Sequence, residues 1–332
     1  MIFPASDSFK LFSARLSYRH EATKTVNNLR YLANLDIALA LAGWAVGLWG
    51  IITSQVAILQ YLYFLAWYPY ILCLDGLLFR LRGRSWLLTQ PRRFFQMFGW
   101  SMTVWLIFEA HNLALKNWGY VAVIPDGWVR WAGYALAFGT VLPGVLLTAE
   151  VLDALGAWKG LKARPFNPGN WQPLSLLVGV AMLILPFIAP RYAFPLIWGA
   201  WFFLLDPCCD LLGGNSLIAR FAAGERQEHL GLLAAGLVCG LWWEAWNWFA
   251  VTRWVYTLPA LNFWQVFEMP LLGFLGFPPF ALECAVMYNF LMALDKRVLI
   301  TPRRRRHAWL IQAAFWLAMF AAIDAWTVIS YQ

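Results

Sequence analysis

Two short stretches of this sequence place polar groups where chemistry could happen. In WWEAWNWFAVTRWVY, residues 242–256, Glu244 and Asn247 stand one helical step apart inside a Trp-rich apolar run. FEAHNLALKNWGY, 108–120, repeats the arrangement with Glu109 and Asn112. A carboxyl in an apolar pocket can be held neutral, and a neutral carboxyl can act as a general acid. Aromatic faces beside it stabilise a developing cation. Glu268 and Glu283 join Glu109 and Glu244 as candidate acids; no basic residue lies within twelve positions of Glu283. Asn112, Asn247 and the aromatic pairs Trp118 with Tyr120 and Trp254 with Tyr256 are candidate substrate-binding groups.

Each of these has a purely structural alternative. Glu and Asn on membrane helices also make helix-to-helix hydrogen bonds, and Trp-x-Tyr also marks an interfacial aromatic belt. Asp75 and Asp206 lie close enough to basic loops to pair with Arg80, Arg82 or Arg220. His111 has no counterpart in the second stretch, where Trp246 stands, and reads as a packed or hydrogen-bonded side chain. Glu244 is expected to face the interior within a few Å of another polar helix residue, with Glu109, Asn112 or Glu268 as the first choices.

The elements that hold these residues must be membrane helices. The chain has 332 residues, 61% hydrophobic and only 13% charged, whereas soluble domains carry about a quarter charged residues. Its apolar runs approach or exceed the ~20 residues that cross a bilayer as helix. Their backbone groups must be satisfied within the segment, and continuous rather than alternating hydrophobicity excludes a transmembrane barrel. The net charge of +8 falls in short clusters between apolar runs. That points to topology and anionic lipid on the cytoplasmic side rather than to nucleic acid. The five cysteines, in predicted helices and without metal or haem spacing, read as apolar packing residues. No cofactor, metal site, nucleotide loop or signal peptide is expected.

Reading apolar runs against charged breaks predicts nine helices near 34–53, 56–79, 94–115, 128–153, 173–190, 193–212, 229–251, 263–294 and 308–328, the eighth broken by its prolines. The N-terminal segment and the loops 80–93, 159–164, 220–226 and 296–306 are basic, and the alternate loops carry one or two basic residues at most. The positive-inside rule then puts the N-terminus in the cytoplasm and the C-terminus outside, in a multi-pass protein of the cell inner (plasma) membrane.

The two stretches belong to a longer echo. Trp67, Asp75, Gly83 and Ser85 match Trp198, Asp206, Gly214 and Ser216 at an offset of 131. Glu109 and Asn112 match Glu244 and Asn247 at 135, and Trp118 and Tyr120 match Trp254 and Tyr256 at 136. The expected organisation is a basic segment 1–33, a four-helix repeat 34–156, a linker 157–172, a second repeat 173–295, a basic loop 296–307 and a ninth helix 308–332. An even number of helices per repeat makes the copies parallel, related by an axis along the membrane normal.

The order of acidic helix, Trp-x-Tyr loop, Pro and a helix with a buried Glu resembles the small membrane domains of lycopene cyclases and related carotenoid hydratases. The resemblance covers about 108–150 and 243–290 and rests on WEAWNWFAVTRWVYTLP and FALECAVMYNF. It implies acid-catalysed protonation of an isoprenoid double bond, with Glu244 and Glu283 as the candidate acids. Where that family carries adjacent glutamates after Pro-Leu, this chain has the single, separated Glu268 and Glu283.

Three functional readings stay open. The first is a bilayer-embedded site for a hydrophobic isoprenoid or lipid substrate, with acid catalysis as its chemistry. The second is a proton- or cation-coupled transporter or channel using the same acids. The third is a non-catalytic subunit whose Trp-rich faces pack against partner membrane subunits.

Overall fold

The computed structural model describes residues 6–259 and 264–332, with side chains from Val26 onward. Lys10, Arg15, Arg19 and Lys24 of the basic N-terminal segment therefore lie outside the described side chains. The backbone there is already helical, because α1 runs from Ser6 to Ile52 as one helix. The expected boundary at 33/34 does not exist: no Gly or Pro stands between positions 6 and 42 to end the helix.

A short turn of helix, α2 (Val56–Leu59), leads into α3 (Leu62–Arg82), which Gly83 closes in the left-handed conformation at φ 69°. There α4 (Pro91–Leu115) begins with proline in its first turn, where the missing N–H costs nothing. The expected helix 128–153 is two helices, α5 (Gly127–Phe138) and α6 (Val141–Ala154). Ser101 of α4 absorbs the backbone groups freed at this break: its hydroxyl donates to Phe138 O (2.7 Å) and accepts from Leu142 N (2.9 Å).

The second half begins with α7 (Trp171–Ile188), the turn α8 (Pro190–Ala193) and α9 (Ile197–Leu211), which is kinked at Trp198. After α10 (Leu217–Ala222) comes α11 (Gln227–Phe249). The expected eighth helix, 263–294, is corrected. A hairpin of β3 (Gln265–Val266) and β4 (Met269–Pro270) and a 3-10 segment Leu271–Gly276 precede α12 (Phe277–Arg297). Pro278 and Pro279 set the start of α12, since neither can donate into a preceding turn. Finally α13 spans Pro302–Trp326.

Seven helical stretches are long and apolar enough to cross a membrane: Val26–Ile52, Leu62–Arg82, Gly127–Ala154, Trp171–Ile188, Pro190–Leu211, Leu271–Arg297 and Pro302–Trp326. The chain is a mostly helical membrane protein. The helices α4 and α11, which carry the Glu–Asn pairs, fall outside that set but are 25 and 23 residues long. They sit at the centre of the main core, with Trp100, Val104, Phe108, Trp243 and Trp246 packed against α3, α6 and α12. In contrast, α1, α7 and α13 present most of their apolar faces outward, as helices facing lipid do.

The bundle has two distinct ends. Basic loops gather at one, tied by the ion pairs Arg82–Asp153, Arg220–Glu225 and Arg305–Asp295 and by backbone bonds from the 163–166 linker to 222–224. The opposite end carries a small sheet in which β1 (Trp118–Val121) pairs antiparallel with β2 (Arg253–Tyr256). Residues 327–332 then bond alongside β1 in parallel, through Tyr120 N to Thr327 O (2.9 Å) and Ile329 N to Tyr120 O (2.7 Å).

The ion-pair reading of the two buried aspartates is corrected. Asp75 accepts from the backbone N–H groups of Trp86 (2.8 Å) and Leu87 (2.9 Å), and Asp206 from Leu217 (2.7 Å), Ile218 (3.0 Å) and the Ser216 hydroxyl (2.7 Å). Both fold the loop after their helix back onto it. A carboxylate that collects several amide donors needs no arginine. Replacing Asp206 with Ala should destabilise the protein by about 2–3 kcal/mol, because buried amides lose charged acceptors. A thermal midpoint in detergent unchanged from wild type would contradict this role.

Candidate functional site

Helix geometry puts positions i and i+3 on one face, and both Glu–Asn pairs point inward. Glu109, Glu244, Asn112 and Asn247 are all buried. Each asparagine seizes the strand that follows its own helix. The Asn112 side chain accepts from Asn117 N (2.8 Å) and Trp118 N (3.1 Å) and donates to Trp118 O (2.9 Å). The Asn247 amide does the same with Trp254, accepting from its N (3.0 Å) and donating to its O (2.9 Å). Each carboxyl then receives the tyrosine two residues further on: Tyr120 OH to Glu109 Oε1 at 2.6 Å, and Tyr256 OH to Glu244 Oε1 at 2.7 Å. Burial, and after it the neighbouring carboxyl, pushes both phenols well above the ordinary tyrosine range, so both remain donors.

The aromatic side chains of both Trp-x-Tyr segments make hydrogen bonds within the protein. Trp118 and Tyr120 pair with Tyr256 and Trp254 across the β1–β2 ladder, with Gly119 opposite Val255 at its centre. The expected partners of Glu244, namely Glu109, Asn112 and Glu268, are corrected to Tyr256. The pairing of two separate loops as strands carries no short-range sequence signal, since 132 residues separate Val121 from Arg253.

The two carboxyls are not equivalent. Glu109 Oε1 accepts from three donors, the Trp105 indole (2.9 Å), the Trp118 indole (3.1 Å) and Tyr120. Gly240 stands where the repeat would place a counterpart of Trp105, and the Phe277 ring packs against it. The Trp254 indole turns to the Tyr256 hydroxyl (3.0 Å). Glu244 Oε1 is thus held through Tyr256, while the Oε2 atoms of both Glu109 and Glu244 are unpartnered among the described residues.

A cavity of about 490 Å³ lies under the ladder, within the size range of small-molecule sites. It draws on matched positions of both halves, Tyr63 with Phe194 and Phe64 with Pro195, and its roof is formed by Trp118, Tyr120, Trp254 and Tyr256. Trp105, Phe138, Trp198, Trp243 and Phe280 make most of the wall aromatic. Among the described residues Glu244 is its one acidic lining side chain, while Glu109 stands behind the aromatic wall.

The remaining candidates fall elsewhere. Glu268 sits in the β3–β4 turn rather than at a helix start and pairs with Arg253 at 3.5 Å. Glu283 is buried on α12 and accepts from Trp201 N (2.7 Å), an amide released by the kink at Trp198. It mends a broken helix and does not line the cavity. His111 bonds to Ile107 O through Nδ1 (2.6 Å), as a packed histidine does. No group of three His, Cys, Asp or Glu side chains placed to hold a metal ion occurs among the described residues. Sequence reading missed the tie between Arg130 and Asp324 (2.6 Å), which also engages the Trp131 indole and Tyr134 hydroxyl and anchors α13 to α5.

Replacing Asn112 or Asn247 with Ala should each cost about 1–3 kcal/mol, because buried strand amides and carbonyls lose their partners. Hydrogen exchange should quicken at Trp118 in the first variant and at Trp254 in the second. Unchanged protection at those amides would show that the strands hold without the asparagines.

The chain matches no protein-family model, and no curated protein or solved structure is significantly similar to it.

Proposed function

We propose that this protein binds a hydrophobic isoprenoid or lipid molecule in the cavity beneath the ladder and that Glu244 protonates it. The observation that carries this reading is the lone carboxyl on an aromatic wall, held by Tyr256 with one oxygen unpartnered. An isolated carboxylate in such surroundings is costly, which favours the neutral acid. In the proposed step Glu244 gives its proton to one carbon of a carbon–carbon double bond and becomes a carboxylate. The cation left on the other carbon lies against Trp and Phe faces. It is then quenched by water, whose surplus proton goes to the Glu244 carboxylate, or by loss of a neighbouring proton back to Glu244. Tyr256 positions the carboxyl, and Asn247 positions Tyr256 through the strand.

The resemblance to lycopene cyclases and carotenoid hydratases supports this chemistry, with Glu244 as the acid. Glu283, the other acid that resemblance implies, is assigned to holding α9. The roles found for Asp75, Asp206, Glu109 and Glu283 are local and separate, which disfavours a continuous proton or cation path.

The same reading takes the protein as nine membrane spans built from two parallel four-helix repeats and a ninth helix, N-terminus in the cytoplasm, in the inner membrane. Supporting it, the ladder is self-complementary: Trp118 faces Tyr256 and their counterparts Trp254 and Tyr120 face each other. A two-fold axis between Gly119 and Val255 exchanges them. The repeated Glu–Tyr, Asn–strand and Asp–loop bonds fit the same axis.

Protein purified from its native membrane should carry a hydrophobic small molecule. Glu244→Gln, which keeps shape but lacks the transferable proton, should retain that molecule unconverted and lower turnover by on the order of 10²–10⁴-fold. A Gln variant with wild-type product would remove Glu244 from the chemistry. For the topology, reporter fusions after 90 and 160 should read cytoplasmic and one near 122 external. Opposite sides for 90 and 160 would overturn the nine-span arrangement.

A further inference from the structure

Several residues that line the cavity are also exposed on the outside of the bundle, and they fall in two groups. Tyr61 at the start of α3 and Val129 on α5 form one, 43% and 47% exposed. Leu272 and Leu275, on the 3-10 segment before α12, form the other, 46% and 70% exposed. Apolar side chains that line a cavity and are also strongly exposed mark openings in its wall. Gly133 on α5 keeps the first one wide: its nearest neighbour, the Phe64 ring, is 4.0 Å from where a Cβ would stand. The second lies in the other half, beside Pro195, the counterpart of Phe64.

The cavity wall also discriminates by charge. Its two cationic side chains among the described residues each have a carboxyl partner, tightly for Arg130 and loosely, at 3.5 Å, for Arg253. Arg130 bonds Asp324 through Nε (2.8 Å) and Nη2 (2.6 Å) and gives Nη1 to the carbonyls of Ile124 (2.7 Å) and Pro125 (2.8 Å). Arg253 pairs with Glu268. An anionic headgroup would meet cations that already face carboxyls, and it would face Glu244 as well.

We infer that the cavity is filled sideways from the lipid, through two openings, one in each half, and that its occupant is a long uncharged chain that lies across the molecule. Such a chain runs past Glu244 near its middle and extends into the bilayer at both ends, so its length need not match the cavity volume. This rests on the assignment of the cavity as a hydrophobic-ligand site, but not on proton transfer by Glu244.

The test uses full-length protein in phosphatidylcholine vesicles and two photoreactive probes, hexadecanol and palmitate, each with a mid-chain diazirine. Adducts are mapped by mass spectrometry. With the alcohol, they should fall around Tyr61 and Val129, around Leu272 and Leu275, and on the ladder above Glu244. Gly133→Trp should cut labelling at Tyr61 and Val129 on the order of tenfold and leave labelling at Leu272 and Leu275. Gly133→Ala, which has room, should label as wild type and controls for folding. Palmitate should label the ladder far less than the alcohol. Adducts at one opening alone, no effect of Gly133→Trp, or equal labelling by palmitate would overturn the inference. Labelling at both openings alongside a fully active Glu244→Gln variant would sustain it while removing the acid chemistry.

Discussion

A carboxyl and an amide one helical step apart, buried at the end of a helix, must each find a partner without water. Unsatisfied, they would cost several kcal/mol in such surroundings. The chain solves this with its own continuation: the amide takes the backbone two to five residues past the helix and the carboxyl takes the tyrosine beyond. The loop is thereby fixed as an extended strand with unused edges. Because the sequence contains the device twice, two such strands are produced at the same end of the bundle. Each is the other's partner, and residues 327–332 cover the outer edge of β1. The sheet in turn roofs the space between the halves. One local requirement, met twice, thus sets the helix ends, the strand pairing and the presence of a covered cavity.

Function then rests on where the two copies differ. On the first side Trp105 completes a set of three donors and the carboxyl is consumed by structure. On the second, glycine at 240 admits Phe277, and the carboxyl is held by Tyr256 beside the cavity. Each of the two stretches uses one carboxyl and one asparagine to hold its own strand. A large-to-small difference, Gly240 at the position matching Trp105, leaves Glu244 with fewer donors than Glu109. Satisfied buried polar groups rigidify a core, and unpaired ones are costly in it.

Much of this was legible in the residues, and the part that was not has physical reasons. Continuous apolar runs located most of the helices, but not the start of α1 at Ser6 or the break between α5 and α6. They failed where irregular backbone is itself apolar, as in 263–276, whose hairpin and 3-10 turn have the composition of a helix. The inward face of Glu244 and Asn247 followed from their spacing. Their partners did not, because a strand ladder between distant loops leaves no periodic trace. Asp75 and Asp206 were assigned to arginines by proximity along the chain, yet Ser85 and Ser216, ten residues after each, already marked the loops that fold back on them. Glu283 looked functional for want of basic neighbours, when its partner was a backbone amide at a kink that the sequence does not announce.

The central claim is that Glu244 stands as a neutral acid against an apolar cavity. Infrared spectroscopy of the protein in membranes at neutral pH reads this directly, by subtracting the spectrum of Glu244→Gln from that of the wild type. The account predicts loss of one protonated-carboxyl C=O stretch that is sensitive to deuterium exchange, with the carboxylate bands unchanged. A difference spectrum confined to carboxylate bands would mean that Glu244 is ionised at rest, and the acid site would have to be sought elsewhere.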